Sequence, residues 1–160
     1  MAGRVGHVAS ADPGVAVDPA FRNRIGGSVL CGAYTKPESS VTALLLGYED
    51  IERARGFFIE ALGFEEEWEV RDDSGDLTRS HLRFGDTVLM LDKPGAHNVL
   101  SPRAAGGVTH LIVINVGDVD AHHARAAGAG ATVLVPPSDR PWGRDYEISD
   151  AEGYIFSFIS

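Results

Sequence analysis

The side chains of this chain with chemistry to offer are a few histidines, a handful of aromatics and a short run of carboxylates. His110 stands in Val108-Thr109-His110-Leu111, at the opening of an apolar run. An imidazole there could hold a metal, move a proton or hydrogen-bond within a cavity. A catalytic zinc-type site needs about three protein ligands and an open position, and the other histidines do not supply them. His122 and His123 are neighbours in a helix-like stretch and so face different ways, without the i, i+4 spacing that would converge them. His81 falls in a strand-like run and His97 in a polar linker, both read as surface or packing residues. The lone Cys31 excludes a cysteine-based zinc site and an internal disulfide framework, and fits a reducing cytoplasm. Gly26-Gly27 and Gly106-Gly107 are too sparse to cradle a phosphate. No nucleophile elbow occurs, and no cysteine has an activating context.

Flat contacts are better represented. Trp68, Trp142, Tyr146 and Phe156 are the candidates to stack on a planar heterocycle or a cation, while Phe57 and Phe58 go to the core by helical spacing. Core packing is the competing role for Tyr146 and Phe156. Trp68 lies in Glu65-Glu66-Glu67-Trp68-Glu69, where strand alternation puts Glu65, Glu67 and Glu69 on one face and Glu66 with Trp68 on the other. Such a row could receive a cationic ligand, or serve as a charged edge strand that discourages aggregation. Arg144, beside Trp142-Gly143, could clamp a carboxylate or carbonyl, or pair with Asp145 or Asp150.

Charge narrows the partners. The formal net charge is −9. Residues 1–40 hold Arg4, Arg22, Arg24 and Lys36 against Asp12, Asp18 and Glu38, so the rest carries about −10. An acidic surface argues against nucleic acid, whose binding depends on cations set against phosphates. It suits a cationic small molecule, and it also serves plain solubility. No apolar run approaches the ~18 residues of a membrane span, and no export signal is expected at the N-terminus.

The elements that position these residues come in two copies. Val41-Thr42-Ala43-Leu44 and Val108-Thr109-His110-Leu111 open matching apolar runs that reach Asp50 and Asp118, each followed by a helix-like stretch. The copies close on Val88-Leu89-Met90-Leu91 and Ile155-Phe156-Ser157-Phe158. The pattern predicts a strand over 41–46, a helix over 51–62 capped by Asp50 and ended by Gly63, and strands near 64–70, 77–84 and 86–92. The second copy predicts a strand over 108–116, a helix over 119–128, and strands over 131–135, 143–148 and 154–159, punctuated by Pro136-Pro137 and by Asp150 to Gly153. Each half reads β-α-β-β-β: module 1 over 41–92, a linker over 93–107, module 2 over 108–160. Residues 1–40 read as a flexible extension. Two copies are too few for a solenoid, and a cleft between pseudo-symmetric halves is where a ligand would sit.

Two segments resemble a known family. Asp50-Ile51-Glu52-Arg53-Ala54-Arg55-Gly56-Phe57-Phe58 through Leu62-Gly63-Phe64 is similar to a characteristic helix of the vicinal oxygen chelate superfamily, which holds glyoxalase I, bleomycin-resistance proteins and extradiol dioxygenases. Gly143-Arg144-Asp145-Tyr146 through Asp150-Ala151-Glu152-Gly153-Tyr154 is similar to its closing motif, with Ala151 where proline is usual. The resemblance spans 41–160. It implies an α+β fold of paired βαβββ modules whose strands form a curved, cup-like sheet around a cavity. In metal-dependent members the ligands are His or Gln and Glu on the first and last strands of each module. Carried over, those positions hold Ala43, Met90, His110 and Ser157, of which only His110 is a credible ligand.

The resulting expectation is a metal-independent binder of a small organic molecule, without a cofactor and working as a homodimer. It is similar to the bleomycin-resistance branch, which sequesters drugs between subunits. His110, Trp68, Trp142, Arg144, Tyr146, Phe156, Ser157 and Met90 would line the ligand. The alternatives are a glyoxalase- or dioxygenase-like metalloenzyme with a degenerate site centred on His110, and a metal-free enzyme using His110 as acid or base.

Overall fold

The computed structural model of the chain describes residues 42–94 and 99–160, all within one compact unit. The extension expected over residues 1–40, and His97, lie outside the described residues. The elements run β1 (Ala43–Gly47), α1 (Ile51–Glu60), β2 (Glu65–Arg71), β3 (Leu77–Phe84), β4 (Thr87–Asp92), α2 (Pro102–Ala105), β5 (Leu111–Asn115), α3 (Val119–Gly128), β6 (Thr132–Arg140), β7 (Gly143–Ser149) and β8 (Ile155–Ile159). They form two four-stranded sheets of the same order, β1-β4-β3-β2 and β5-β8-β7-β6. The first and last strands of each module pair parallel, and the other neighbours antiparallel. The class is α+β, two βαβββ modules.

Both long helices start alike. The Asp50 side chain accepts from the Arg53 amide at 3.0 Å, and Asp118 from the Ala121 amide at 2.9 Å, each satisfying a donor that the first turn cannot. Ile51, Ala54 and Phe58 of α1 and Val119 and Ala126 of α3 are buried, at the spacing of one helical face. Those faces meet strands of both modules in a single core. Phe58 stands edge-on to Phe156 at 5.4 Å between ring centroids, which ties α1 to the last strand of the other module. Arg125 donates to the Glu60 and Ile59 carbonyls at 3.0 and 2.9 Å, at the C-terminal end of α1. Tyr154 Oη accepts from the Gly47 amide at 3.0 Å.

The first helix, expected to reach 62 and end on Gly63, stops at Glu60 with Ala61 as its C-cap, and three other boundaries shift. β6 continues to Arg140 through Pro136 and Pro137. As the outermost strand of its sheet it can spend its missing N–H groups on the unpaired edge, and its register slips between Val133 and Val135 and again before Ser138. β5 begins at Leu111, one residue after His110. The linker holds a short helix, α2, with Ser101 as N-cap and Pro102 in its first turn.

In β5 the alternation separates two faces of its sheet. Ile112 and Ile114 enter the core, whereas Leu111 and Val113 on the other face are 47% and 57% exposed. The face turned away from the helices is where the candidate site lies.

Candidate functional site

Register places one row of side chains straight across the outer face of each sheet. Leu45 pairs with Met90, Met90 with His81, and His81 with Trp68. In the second module Val113 pairs with Ser157, Ser157 with Glu147, and Glu147 with Val135. The two rows are equivalent under the internal repeat. The rows on the opposite faces, Leu44-Leu89-Leu82 and Ile112-Phe156-Ile148, belong to the core.

Trp68 reaches the outer row through a β-bulge. The β2–β3 register shifts between Glu66 and Trp68, so Glu67 is the extra residue and the simple alternation expected along Glu65 to Glu69 fails. Glu66, expected on the face of Trp68, turns instead to the helix side. It accepts from Arg55 Nε and Nη2 at 2.5 Å each and from Ser80 Oγ at 3.0 Å. That pairing holds its carboxyl below the usual carboxylate range. Trp68 lies over His81 with ring centroids 3.6 Å apart and planes 33° apart. Burial, with the Arg79 cation nearby, pushes the His81 pKa down to about 4, so the ring is neutral at physiological pH. Arg79 pairs with Asp92 at 2.6 Å on one side of this stack, and Arg83 pairs with Glu67 on the other. Both guanidiniums are therefore committed, and the half-buried Trp68 ring, lying over the buried and neutral His81, is left as the platform.

The second row is different in kind. Glu147 is half-buried beside Ser157, with the exposed Leu111 and Val113 flanking them. The platform of the first module thus has an acidic, apolar counterpart in the second.

Other expected residues go elsewhere. Tyr146 and Phe156 are fully buried and offer a ligand no surface, a correction to their reading as stacking contacts. Tyr146 stacks on Phe158 at 5.2 Å and is 2.6 Å from His122 Nδ1, and Phe156 packs on Phe58. Their place in inward-facing alternation outweighs their chemistry. Arg144 pairs with Asp120 and Asp139 at 2.8 and 2.9 Å, neither of the partners expected, and so fixes the β6–β7 hairpin against α3. Trp142, 66% exposed at the tip of that hairpin, donates from Nε1 to Asp145 at 3.1 Å. His122 bridges modules, with Nε2 3.0 Å from the Leu62 carbonyl, and burial lowers its pKa.

His110 is exposed, with Nδ1 3.0 Å from Thr109 Oγ1. It lines an open cavity of about 340 Å³ at the seam between β1 and β5, with Leu44 to Leu46 and Leu111 to Val113. The cross-strand partners of Met90 and Ser157 are Leu45 and Val113, where Ala43 and His110 were expected to complete the set. A thioether, a hydroxyl and two aliphatic chains do not fit a divalent metal. Among the described residues no group of three or more His, Cys, Asp or Glu could hold a metal.

Sequence reasoning overlooked His81 and Glu147 as site residues. Glu147 had a signal, since Tyr146 and Ile148 on either side are apolar and inward, which turns the residue between them outward. His81 had none without the bulge that brings Trp68 over it.

The sequence and the fold have relatives among known proteins. A sequence model of the Glyoxalase/Bleomycin resistance protein/Dioxygenase superfamily matches residues 40–158. Uncharacterized protein Rv0887c of Mycobacterium tuberculosis is 32% identical over 114 residues, covering 68% of this chain and 67% of its own. The crystal structure of TioX from Micromonospora sp. ML1 is similar with a TM-score of 0.65 and 30% identity, over 75% of this chain and 97% of that one. TnmS3, an antibiotic binding protein from Streptomyces sp. CB03234, shares the fold with a TM-score of 0.59 and 24% identity, over 78% and 97% of the two chains. No helix among the described residues is long and apolar enough to cross a membrane.

Proposed function

The chain belongs to the Glyoxalase/Bleomycin resistance protein/Dioxygenase superfamily, and from that premise we propose that it binds a small, flat organic cation by sequestration, without metal and without turnover. The observation that carries this reading is the Trp68 ring, half-buried and set over His81 at 3.6 Å between two committed guanidiniums. Aromatic faces attract planar heterocycles and cations. The half-buried Glu147 supplies the countercharge, with Ser157, Met90 and Leu45 forming the floor. Trp142 contributes at the rim, and His110 hydrogen-bonds at the seam.

The protein works as a homodimer in the cytoplasm. Leu111 and Val113 leave the outer face of the second sheet apolar and exposed, and a second copy covers it. Pairing the second-module face of one protomer with the first-module face of its partner sets Glu147 across from the platform. That TnmS3 binds an antibiotic supports the fold as a carrier of such binding; the ligand class here is argued from the rows themselves.

The test is a fluorescence titration with bleomycin and with planar aromatic dye cations on a Trp142→Phe background, where Trp68 is the sole tryptophan. Saturable quenching with intact ligand recovered afterwards is the expected result. A converted product, or activity that follows added divalent metal, would overturn it.

A further inference from the structure

We infer that the chain carries a second ligand site, on the helix side of the fold, that takes a small zwitterion of amino-acid size. A cavity of about 180 Å³ opens where the first turn of α1 meets the β7–β8 turn and α2. Glu152 lines it. This residue is only 8% exposed, and its Oε2 is buried without a hydrogen-bond partner. Its neighbours in the cavity are already satisfied. Tyr48 Oη donates to Asp150 Oδ2 at 2.5 Å, and Asp150 Oδ1 accepts from the Glu152 and Tyr154 amides at 3.0 and 2.9 Å. Burial raises the Asp150 pKa and the Tyr48 pKa, consistent with a pair that keeps its own proton. A buried carboxylate with no donor is costly, and a ligand that brings an ammonium group relieves that cost.

The opposite charge stands beside it. Arg53 and Arg103 both line the cavity and both are exposed. Neither guanidinium has an ion pair or hydrogen bond among the described residues, whereas every other described arginine is committed to a carboxylate or a carbonyl. A negative wall that lacks a donor and two arginines that lack an acceptor are complementary to a molecule carrying both charges. The ammonium group meets Glu152 and the carboxylate meets the arginines, while Phe57 offers an apolar wall to a short side chain. Size agrees. With about 30 Å³ per water in the liquid, the cavity has room for on the order of six non-hydrogen atoms.

Geometry holds the site ready. The Arg103 amide donates to the Glu152 carbonyl at 2.9 Å, so α2 and the turn that carries the carboxylate move together. Gly153, at φ +88°, makes the turn possible, and a Cβ there would come within 3.4 Å of Pro102. The site faces away from the Trp68 row and does not depend on it.

The experiment is titration of the full chain with L-alanine at millimolar concentration, followed by ¹H–¹⁵N NMR and calorimetry, with ethylammonium and propionate as half-ligands. Expected are amide shifts at Gly130, Ala131 and Gly153, and half-ligands about tenfold or more weaker than alanine. Glu152→Gln, which keeps the side-chain shape, and Arg103→Ala, at an exposed position, should each weaken alanine about tenfold while leaving the bleomycin titration unchanged. Absence of alanine-induced shifts at those amides overturns the proposal. Alanine binding that is indifferent to both substitutions does so as well.

Discussion

Replacing Val113 by Asp tests how the site is assembled. In the isolated protomer this side chain is 57% exposed, so the substitution should change folding stability by no more than about 0.5–1 kcal/mol, including the lower strand preference of aspartate. In a dimer that covers the outer face the balance is different. Complete burial of a valine or leucine side chain is worth about 1.5–3 kcal/mol. Leu111 and Val113 are 47% and 57% exposed, so covering what is exposed contributes about 1 kcal/mol each. A twofold pair uses each residue twice, so Val113 alone accounts for about 2 kcal/mol. The substitution removes that contribution and sets two aspartates in an apolar contact. Dissociation should therefore strengthen at least about thirtyfold. Sedimentation velocity across a concentration series reads the assembly, and thermal unfolding at low concentration reads the protomer. A monomeric native protein refutes the reasoning, and so does a Val113→Asp dimer of unchanged strength, since assembly would then use another face.

Three further outcomes follow from the geometry. Trp68→Ala should weaken binding of planar aromatic cations about two- to tenfold, from loss of a stacking contact worth about 0.5–1.5 kcal/mol, with unchanged stoichiometry by calorimetry. Tyr154→Phe leaves the Gly47 amide without its partner and should cost about 1–3 kcal/mol in urea unfolding, with little change in slope. Acidification should destabilise the fold through His81, whose pKa is depressed in the folded state. The unfolded chain binds the proton first, so stability is full above about 6.5 and falls as pH drops toward about 4, by at most about 3 kcal/mol. His122, also depressed by burial, adds to the loss in the same direction below about 6.5, and a His81→Gln variant should flatten the profile over that interval.

The two-module organisation was legible because core packing writes itself into periodicity. Ile51, Ala54 and Phe58 mark the α1 face, and the aspartates before both helices cap them as read. The outer rows were harder. Trp68 lies where its row requires only because Glu67 bulges, and one extra residue reverses the faces of the carboxylates around it. Tyr146 and Phe156 attracted attention as aromatics, yet strict alternation in β7 and β8 had already assigned them to the core. The commitment of Arg144 to Asp120 and Asp139 depends on packing of a hairpin against α3, which no local spacing records.

The internal repeat also bears on function. Duplicate halves share a core face because packing density constrains it, and the rows Leu44-Leu89-Leu82 and Ile112-Phe156-Ile148 are interchangeable in kind. The outer rows are not. One ends in a tryptophan stacked on a neutral histidine, the other carries a serine and a half-buried glutamate. Packing within the protomer does not demand that difference, because Leu111 and Val113 beside the second row contact solvent. The proposed ligand, flat at one end and cationic at the other, suits unlike rows, and unlike rows are what the two halves present.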